Sequence, residues 1–289
     1  MNSSFEFLDY LIFFLYATVI LGLGLWVSRD KKGEEKSAED YFLAGKSLPW
    51  WAIGASLIAA NISAEQFIGM SGSGFALGLA IASYEWMAAI TLIIVGKYFL
   101  PIFIEKKLYT IPEFVEKRFS SQLKTILAIF WIGLYVFVNL ASVMYLGGLA
   151  FETIIGIDLV YAVTGLALFA AAYSLYGGLT AVAWTDIIQV VFLVLGGLVT
   201  TFLALDTVSQ GQGIFEGLKS IYNAAPDRFE MILDKSNPEY SNLPGIGVLV
   251  GGLWVANLYY WGFNQYIIQR TLAAKSLSCL LYTSPSPRD

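Results

Sequence analysis

The sequence predicts an all-α polytopic membrane protein, and three observations carry that expectation. Of 289 residues, 57% are hydrophobic and only 13% charged, with a mean hydropathy of +0.66; a soluble domain carries roughly 25% charge. About seven apolar runs come near the ~20 residues that a helix needs to cross a bilayer. Basic residues crowd the connections on one side of those runs and are sparse on the other, the asymmetry that membrane insertion imposes. The composition also excludes several functions. A net charge of -5 offers no basic surface for nucleic acid. The chain has no histidine, which removes Ser-His-Asp triads, His-ligated zinc and imidazole proton relays. Its single cysteine, Cys279, excludes an intrachain disulfide or thiolate cluster. Carboxylates alone are left for catalysis, which argues against an enzyme.

Met1 to Asp9 contains no Lys or Arg. The first span, 10–27, lacks the basic start and small-residue cleavage site of a signal peptide and is expected to stay as a helix. Arg29 to Lys46 is a charged loop. The second span, 49–75, is apolar and long enough to cross, yet Asn61, Ser63, Glu65 and Gln66 interrupt it and Ser71-Gly72-Ser73-Gly74 is expected to close it. Lipid tolerates backbone released from helical bonding only where protein or water satisfies it. The segment therefore predicts one wall of a polar site at membrane depth. The third span is 77–99. A second charged loop, from Pro101 to Lys124, holds Tyr109-Thr110-Ile111-Pro112-Glu113-Phe114, the pattern of a capped amphipathic turn. Spans four, five and six are 125–149, 159–176 and 183–205. Asp206 to Leu243 is the longest polar segment, and span seven is 245–269.

The loop charges predict the orientation. Arg29, Lys31, Lys32, Lys36 and Lys46, then Lys106, Lys107, Lys117, Arg118 and Lys124, then Arg270 and Lys275 fall on one side. The other side has only Lys219, Arg228 and Lys235. The positive-inside rule places the N-terminus outside and the end of span seven in the cytoplasm. From Cys279 to Asp289 the text resembles translated sequencing read-through, the alternative being a disordered Ser/Pro tail. Residues 278–289 are thus expected to be non-native, and 1–277 to be the N-terminal part of a single domain.

Glu85 stands inside span three. Intramembrane acids are costly and face a partner or a wet cavity; a clamp on a neighbouring helix is the bland alternative, and it applies equally to Gln66. Together the two offer acceptors and donors suited to a polyhydroxylated solute, with no cation to attract an anion. In span seven, Asn257, Tyr260, Trp261 and Asn264 fall at i, i+3, i+4 and i+7, one helix face. An interfacial aromatic belt is the alternative there, but the two asparagines argue for a site, with Tyr260 able to stack on a sugar's apolar face. Asp186 is expected at the start of span six, where it either stabilises the helix dipole or lies on a cation path.

Ala59-Ala60-Asn61-Ile62-Ser63-Ala64-Glu65-Gln66-Phe67, Tyr84-Glu85-Trp86, Tyr176-Gly177-Gly178 with Trp184-Thr185-Asp186, and Asn264-Gln265 with Gln269-Arg270-Thr271-Leu272-Ala273-Ala274-Lys275 resemble the solute:sodium symporter family, in its sodium/glucose branch. The resemblance covers about residues 1–277. It implies the first part of a five-plus-five inverted-repeat transporter fold with one extra N-terminal helix, substrate and ion lying at the broken first helix of each repeat. It implies sodium-coupled symport of a galactose- or glucose-like hexose across a bacterial inner membrane. Gln66, Glu85 and Asn257, with Asn61 nearby, would bind the sugar. Tyr260 would gate it on the inner side, and Met70 and Tyr84 on the outer, with Trp261 a further gate residue. The backbone carbonyls of Ala59 and Ile62 would give half of a sodium site, with Asp186 on the ion's exit path. The family's remaining sodium and sugar ligands come from later helices absent from this sequence. Three other readings compete: a sodium symporter for another small solute, a symporter-like solute sensor, and a membrane enzyme using Glu85 and Asp186. The expected positions of those two acids, at opposite halves of the membrane, argue against the enzyme.

Overall fold

A computed structural model of the chain describes residues 6–29 and 37–276. Lys31, Lys32 and Lys36, the tail 278–289 and the side chain of Tyr84 lie outside the described residues. Regular structure among them is helical, apart from one parallel bridge between Leu48 and Ala274.

Helix α1, Phe7–Val27, starts earlier than the apolar run suggests, because Glu6 and Asp9 cap it reciprocally; the Glu6 amide donates to Asp9 Oδ2 at 2.8 Å. The short α2, Ala38–Leu43, is capped the same way by Ser37 and Asp40. After Pro49, α3 (Trp50–Asn61) runs to a break at 62–64, and the chain resumes as a π turn, Glu65–Met70, leading into α4, Ser71–Leu77. Ser71 to Gly74 does not close this span, as expected from sequence, but is helical. A Cβ at Gly72 or Gly74 would meet open space, so nothing there turns the chain. It turns at Gly78 instead, whose φ of 72° favours glycine and whose Cβ would strike the Arg228 backbone.

A 3-10 turn, Gly78–Ala82, then feeds α5 (Ser83–Ile94), a π turn (Val95–Phe99) and α6 (Leu100–Glu105). The third helix therefore lies C-terminal to the expected 77–99. It passes Pro101 because the preceding π turn accommodates the missing donor. The pattern around Tyr109 forms α7, Ile111–Arg118, its first turn capped by the Thr110 hydroxyl accepting from the Glu113 amide. Ser120 caps α8 (Ser121–Leu134), which continues through a π turn, Tyr135–Leu140, into α9, Ala141–Ile155, making the fourth span longer than 125–149.

Spans five and six are one helical run, α10, Leu159–Val208, with a single non-helical residue, Gly178 (φ 58°, ψ -151°). The loop expected over 177–182 is absent: one glycine redirects the helix, and helical geometry returns at once. Two consequences follow. Asp186 lies about two turns beyond the kink, not at a helix start, so the dipole reading of it does not hold. The carbonyls freed by the kink take the Tyr41 hydroxyl, which donates to Leu175 O at 2.9 Å. The Tyr41 carbonyl also occupies the space a Gly178 Cβ would need.

Helix α11, Ile214–Ala224, packs back on α10 through Gly217. Beyond it, Arg228 donates to the Phe75 and Ala76 carbonyls and so caps the C-terminal end of α4. The last region is α12 (Gly245–Val250), α13 (Gly252–Leu258), a π turn (Tyr259–Phe263) and α14 (Gln265–Leu272), with a 70° bend at Gly251 and an extended Asn264.

Four helices among the described residues are long and apolar enough to cross a membrane by themselves, or five with the bent pair. The expected seven is not reached by that measure, because 50–77 is interrupted and α10 needs dividing at Gly178. The outward faces of α1, α8, α9 and α10 are apolar; Phe7, Phe14, Ile129, Phe137 and Leu175 are all exposed. Contiguous apolar surface of this extent marks a lipid- or protein-facing exterior. The buried core lies elsewhere, where α2, α3, α6, α7 and α14 meet around Leu48, Ile53, Phe103, Ile111 and Ile268.

Candidate functional site

The two breaks, at 62–64 and at Asn264, flank a cavity of ≈ 700 Å³. Its walls are α3, the π turn after the first break, α5 with its following π turn, Trp261 and the start of α14. The first break releases backbone. The last helical bond there runs from the Ile62 amide to Ile58 O at 2.9 Å, while the Ser63 amide turns to Gln66 Oε1 at 3.4 Å. The Ala59 carbonyl, which Ser63 would engage in a continued helix, is thereby left off the ladder. The Ser63 hydroxyl also donates to Gln66 Oε1, at 3.3 Å. These contacts occupy the acceptor end of Gln66.

Asn61, Gln66 and Glu85 all line this cavity, as do Ile62, Met70 and Trp261. Glu85 lies in the first turn of α5 and makes no hydrogen bond or ion pair among the described residues. The rest of the lining is largely aliphatic, including Leu57, Leu92, Val95 and Ile267. A concave apolar chamber with a few converging polar groups is the usual form of a small-molecule site. Two carbonyls at the break, Ala59 and Ile62, are the kind of hard oxygen ligands that an alkali cation accepts. Among the described residues no group of three His, Cys, Asp or Glu side chains could hold a metal.

Other expected residues are not brought to the cavity. Asn257 is buried and donates back to Leu253 O at 3.1 Å within its own helix. Tyr260 is off the cavity wall; its hydroxyl accepts from Tyr266 at 3.1 Å and its ring meets Trp261 edge-on. The expected shared face of Asn257, Tyr260, Trp261 and Asn264 does not form. The π turn at Tyr259–Phe263 shifts the register, and Asn264 leaves the helix altogether with ψ 120°. Asp186 is buried at 6% exposure, away from the cavity, where Ser56 donates to its Oδ2 at 2.5 Å and the Arg270 guanidinium stands 3.6 Å away.

The second break is held by a residue that sequence reasoning missed. The Tyr135 hydroxyl donates to Asn264 Oδ1 at 2.8 Å and accepts from the Gln265 amide at 3.0 Å. Gln265 Oε1 in turn accepts from the Ile111 amide at 2.9 Å, tying the break to α7. Nothing in the sequence sets this tyrosine apart from the neighbouring Phe130, Trp131 and Phe137. On the short α2, Glu39 is held below the usual carboxylate range by Lys46 and then by the Tyr109 hydroxyl, which ties α2 and the strap after it to the start of α7.

Interrupted helices around a solute-sized apolar chamber with a few polar groups are an arrangement that integral membrane transporters use. The sodium:solute symporter family matches residues 41–284, and the chain belongs to that family. It is 74% identical over 277 residues to a sodium/glucose cotransporter of Vibrio parahaemolyticus, covering 96% of this chain and 51% of that protein. A mouse (Mus musculus) sodium/myo-inositol cotransporter 2 is 34% identical over 293 residues, 96% of this chain and 42% of its own length. The chain thus spans about half the length of the curated relatives it matches. A solved structure of a Na⁺-coupled sialic acid symporter, substrate-bound and outward-open, superposes with a TM-score of 0.81 at 26% identity, over 97% of this chain and 56% of that one.

Removing the Tyr135 hydroxyl takes from the Asn264 side chain, 2% exposed, the donor to its Oδ1. Tyr135→Phe should lower stability by about 1–3 kcal/mol, the cost of an unsatisfied buried polar group. Thermal unfolding in detergent checks this in a full-length chimera: residues 1–276 of this chain followed by the remaining half of the Vibrio relative.

Proposed function

We propose that this chain supplies the first half of a sodium-coupled symporter that carries a galactose- or glucose-like hexose into the cell by alternating access. The carrying observation is the unpaired Glu85 carboxylate facing the cavity beside Gln66 and Asn61. A carboxylate at membrane depth needs hydrogen-bond donors; sugar hydroxyls supply them, and the Gln66 amide donates in return. The sodium/glucose cotransporter at 74% identity supports a hexose over other solutes. The more distant myo-inositol relative is named for a cyclic polyol with the same hydroxyl chemistry. Sodium is cargo here. The released Ala59 and Ile62 carbonyls give half of its site, and the second half of the protein completes it. Met70 and Trp261 border the chamber as gates, whereas Asn257 and Tyr260 need a change of conformation to reach the sugar.

In this reading α3 with α4 forms one broken span, α10 forms two, and the region from Gly245 opens a second, inverted repeat. The N-terminus lies outside a bacterial inner membrane, with α2, α7 and the end of α14 on the cytoplasmic side. No enzyme chemistry is assigned.

Two measurements test this. In the chimera, Glu85→Gln keeps the shape but loses the charge. Charge-assisted bonds are worth about 1.5–3 kcal/mol against about 1 for neutral ones, so hexose affinity should fall on the order of tenfold, as it should for Gln66→Ala. Normal binding with a lowered melting temperature would make Glu85 a helix clamp. For orientation, a cysteine replacing Lys106 should be shielded from an impermeant thiol reagent in intact cells, and one replacing Lys219 labelled. The reverse pattern would overturn the topology.

A further inference from the structure

Asp186 is the one buried carboxylate among the described residues, and the cavity does not use it. It is held by a single constellation. Ser56, on α3 and fully buried, donates to Asp186 Oδ2 at 2.5 Å and accepts from Arg270 Nε at 2.9 Å. Arg270, on α14, donates from Nη1 to the Tyr266 carbonyl at 2.6 Å and points Nη2 at Asp186 from 3.6 Å. One hydroxyl therefore stands between this buried acid and a guanidinium whose donors are committed on three sides.

The placement matters more than the bonds. Ser56 belongs to the half-helix before the first break, Arg270 to the half-helix after the second, and Asp186 to α10 beyond its kink. Their sequence neighbours Leu57 and Thr271 line the cavity, but all three of these side chains lie behind that wall. Gln269, beside Arg270, reaches the strap and donates to Phe42 O at 2.7 Å. The wall cannot part toward the strap side while the three helices stay joined. Once parted, a buried charge would be left unpaired, a costly state, so the junction has two discrete conditions and not a continuum between them.

We propose that Ser56, Asp186 and Arg270 form a latch on the inner wall of the cavity, with Ser56 the positioning residue that joins both half-helices to α10. The inward sense of its opening rests on the transport reading above; the latch itself rests on the contacts. Arg270→Lys keeps the charge but cannot serve Ser56, Tyr266 and Asp186 together, since an ammonium lacks the planar fork. Ser56→Ala removes only the shared hydroxyl and leaves the fold its smallest possible change.

The test is the rate at which a cysteine replacing Ala89, a cavity residue on α5 remote from the latch, is labelled from the cytoplasmic face of inside-out vesicles bearing the chimera. Ser56→Ala and Arg270→Lys should each speed labelling about tenfold by shifting the population toward the open condition. Because the three groups act as a unit, the double variant should label no faster than the quicker single one. Labelling at the parent rate in Ser56→Ala, or rates that multiply in the double variant, would overturn the latch. Should Arg270→Lys fail to fold, Ser56→Ala alone decides. Labelling needs no transport: a parent chimera without sodium-dependent hexose uptake would refute the transport reading and leave the latch readable.

Discussion

A backbone amide or carbonyl at membrane depth must find a partner, and this structure is arranged around the two places where helices stop providing one. At 62–64 the freed Ser63 amide meets the Gln66 side chain; at Asn264 the Gln265 amide meets the Tyr135 hydroxyl. Each break then becomes a fixed polar feature in an apolar surrounding, a defined set of donors and acceptors rather than a point of fraying. The cavity between them follows from that constraint. Interrupted helices cannot pack as closely as continuous ones, and the space they leave has polar edges where backbone was freed and aliphatic walls elsewhere.

The supporting structure repeats the same solution at its margins. Tyr41 takes the carbonyls released by the kink at Gly178, and Arg228 takes those at the end of α4. In both cases a side chain from a connecting segment completes a helix that the membrane would otherwise leave open. The loops therefore do more than connect spans. The strap from Ser37 to Leu48 ties the α10 kink and α14 together on one side of the cavity, and the segment around Arg228 caps its other end. Four π turns, at Glu65, Val95, Tyr135 and Tyr259, lie in or beside the site. Such turns shift helical register locally and often accompany function.

The all-helical membrane class was legible from composition alone, and the interrupted second span from four polar residues in an apolar run. Gln66, Glu85 and Asn61, which line the cavity, stood out in the sequence because lipid makes an isolated carboxylate or amide conspicuous. What sequence reasoning lost was register. A period of 3.6 put Asn257 and Asn264 on one face, whereas a π turn between them and an extended Asn264 part them. The kink at Gly178 looked like a loop because two glycines often mark one; a single positive φ was enough. Ser56 and Tyr135 were invisible for another reason. A serine is unremarkable among small residues in a helix, and a tyrosine among aromatics, until the partner from a distant span is known.

The central claim is that the cavity between the two breaks is where a sugar sits. A density map of the full-length chimera prepared with sodium and galactose tests it most directly. The account predicts hexose density within hydrogen-bonding distance of the Glu85 carboxylate and the Gln66 amide, bordered by Trp261. Hexose density outside this chamber, with Glu85 engaged by a neighbouring helix, would contradict it.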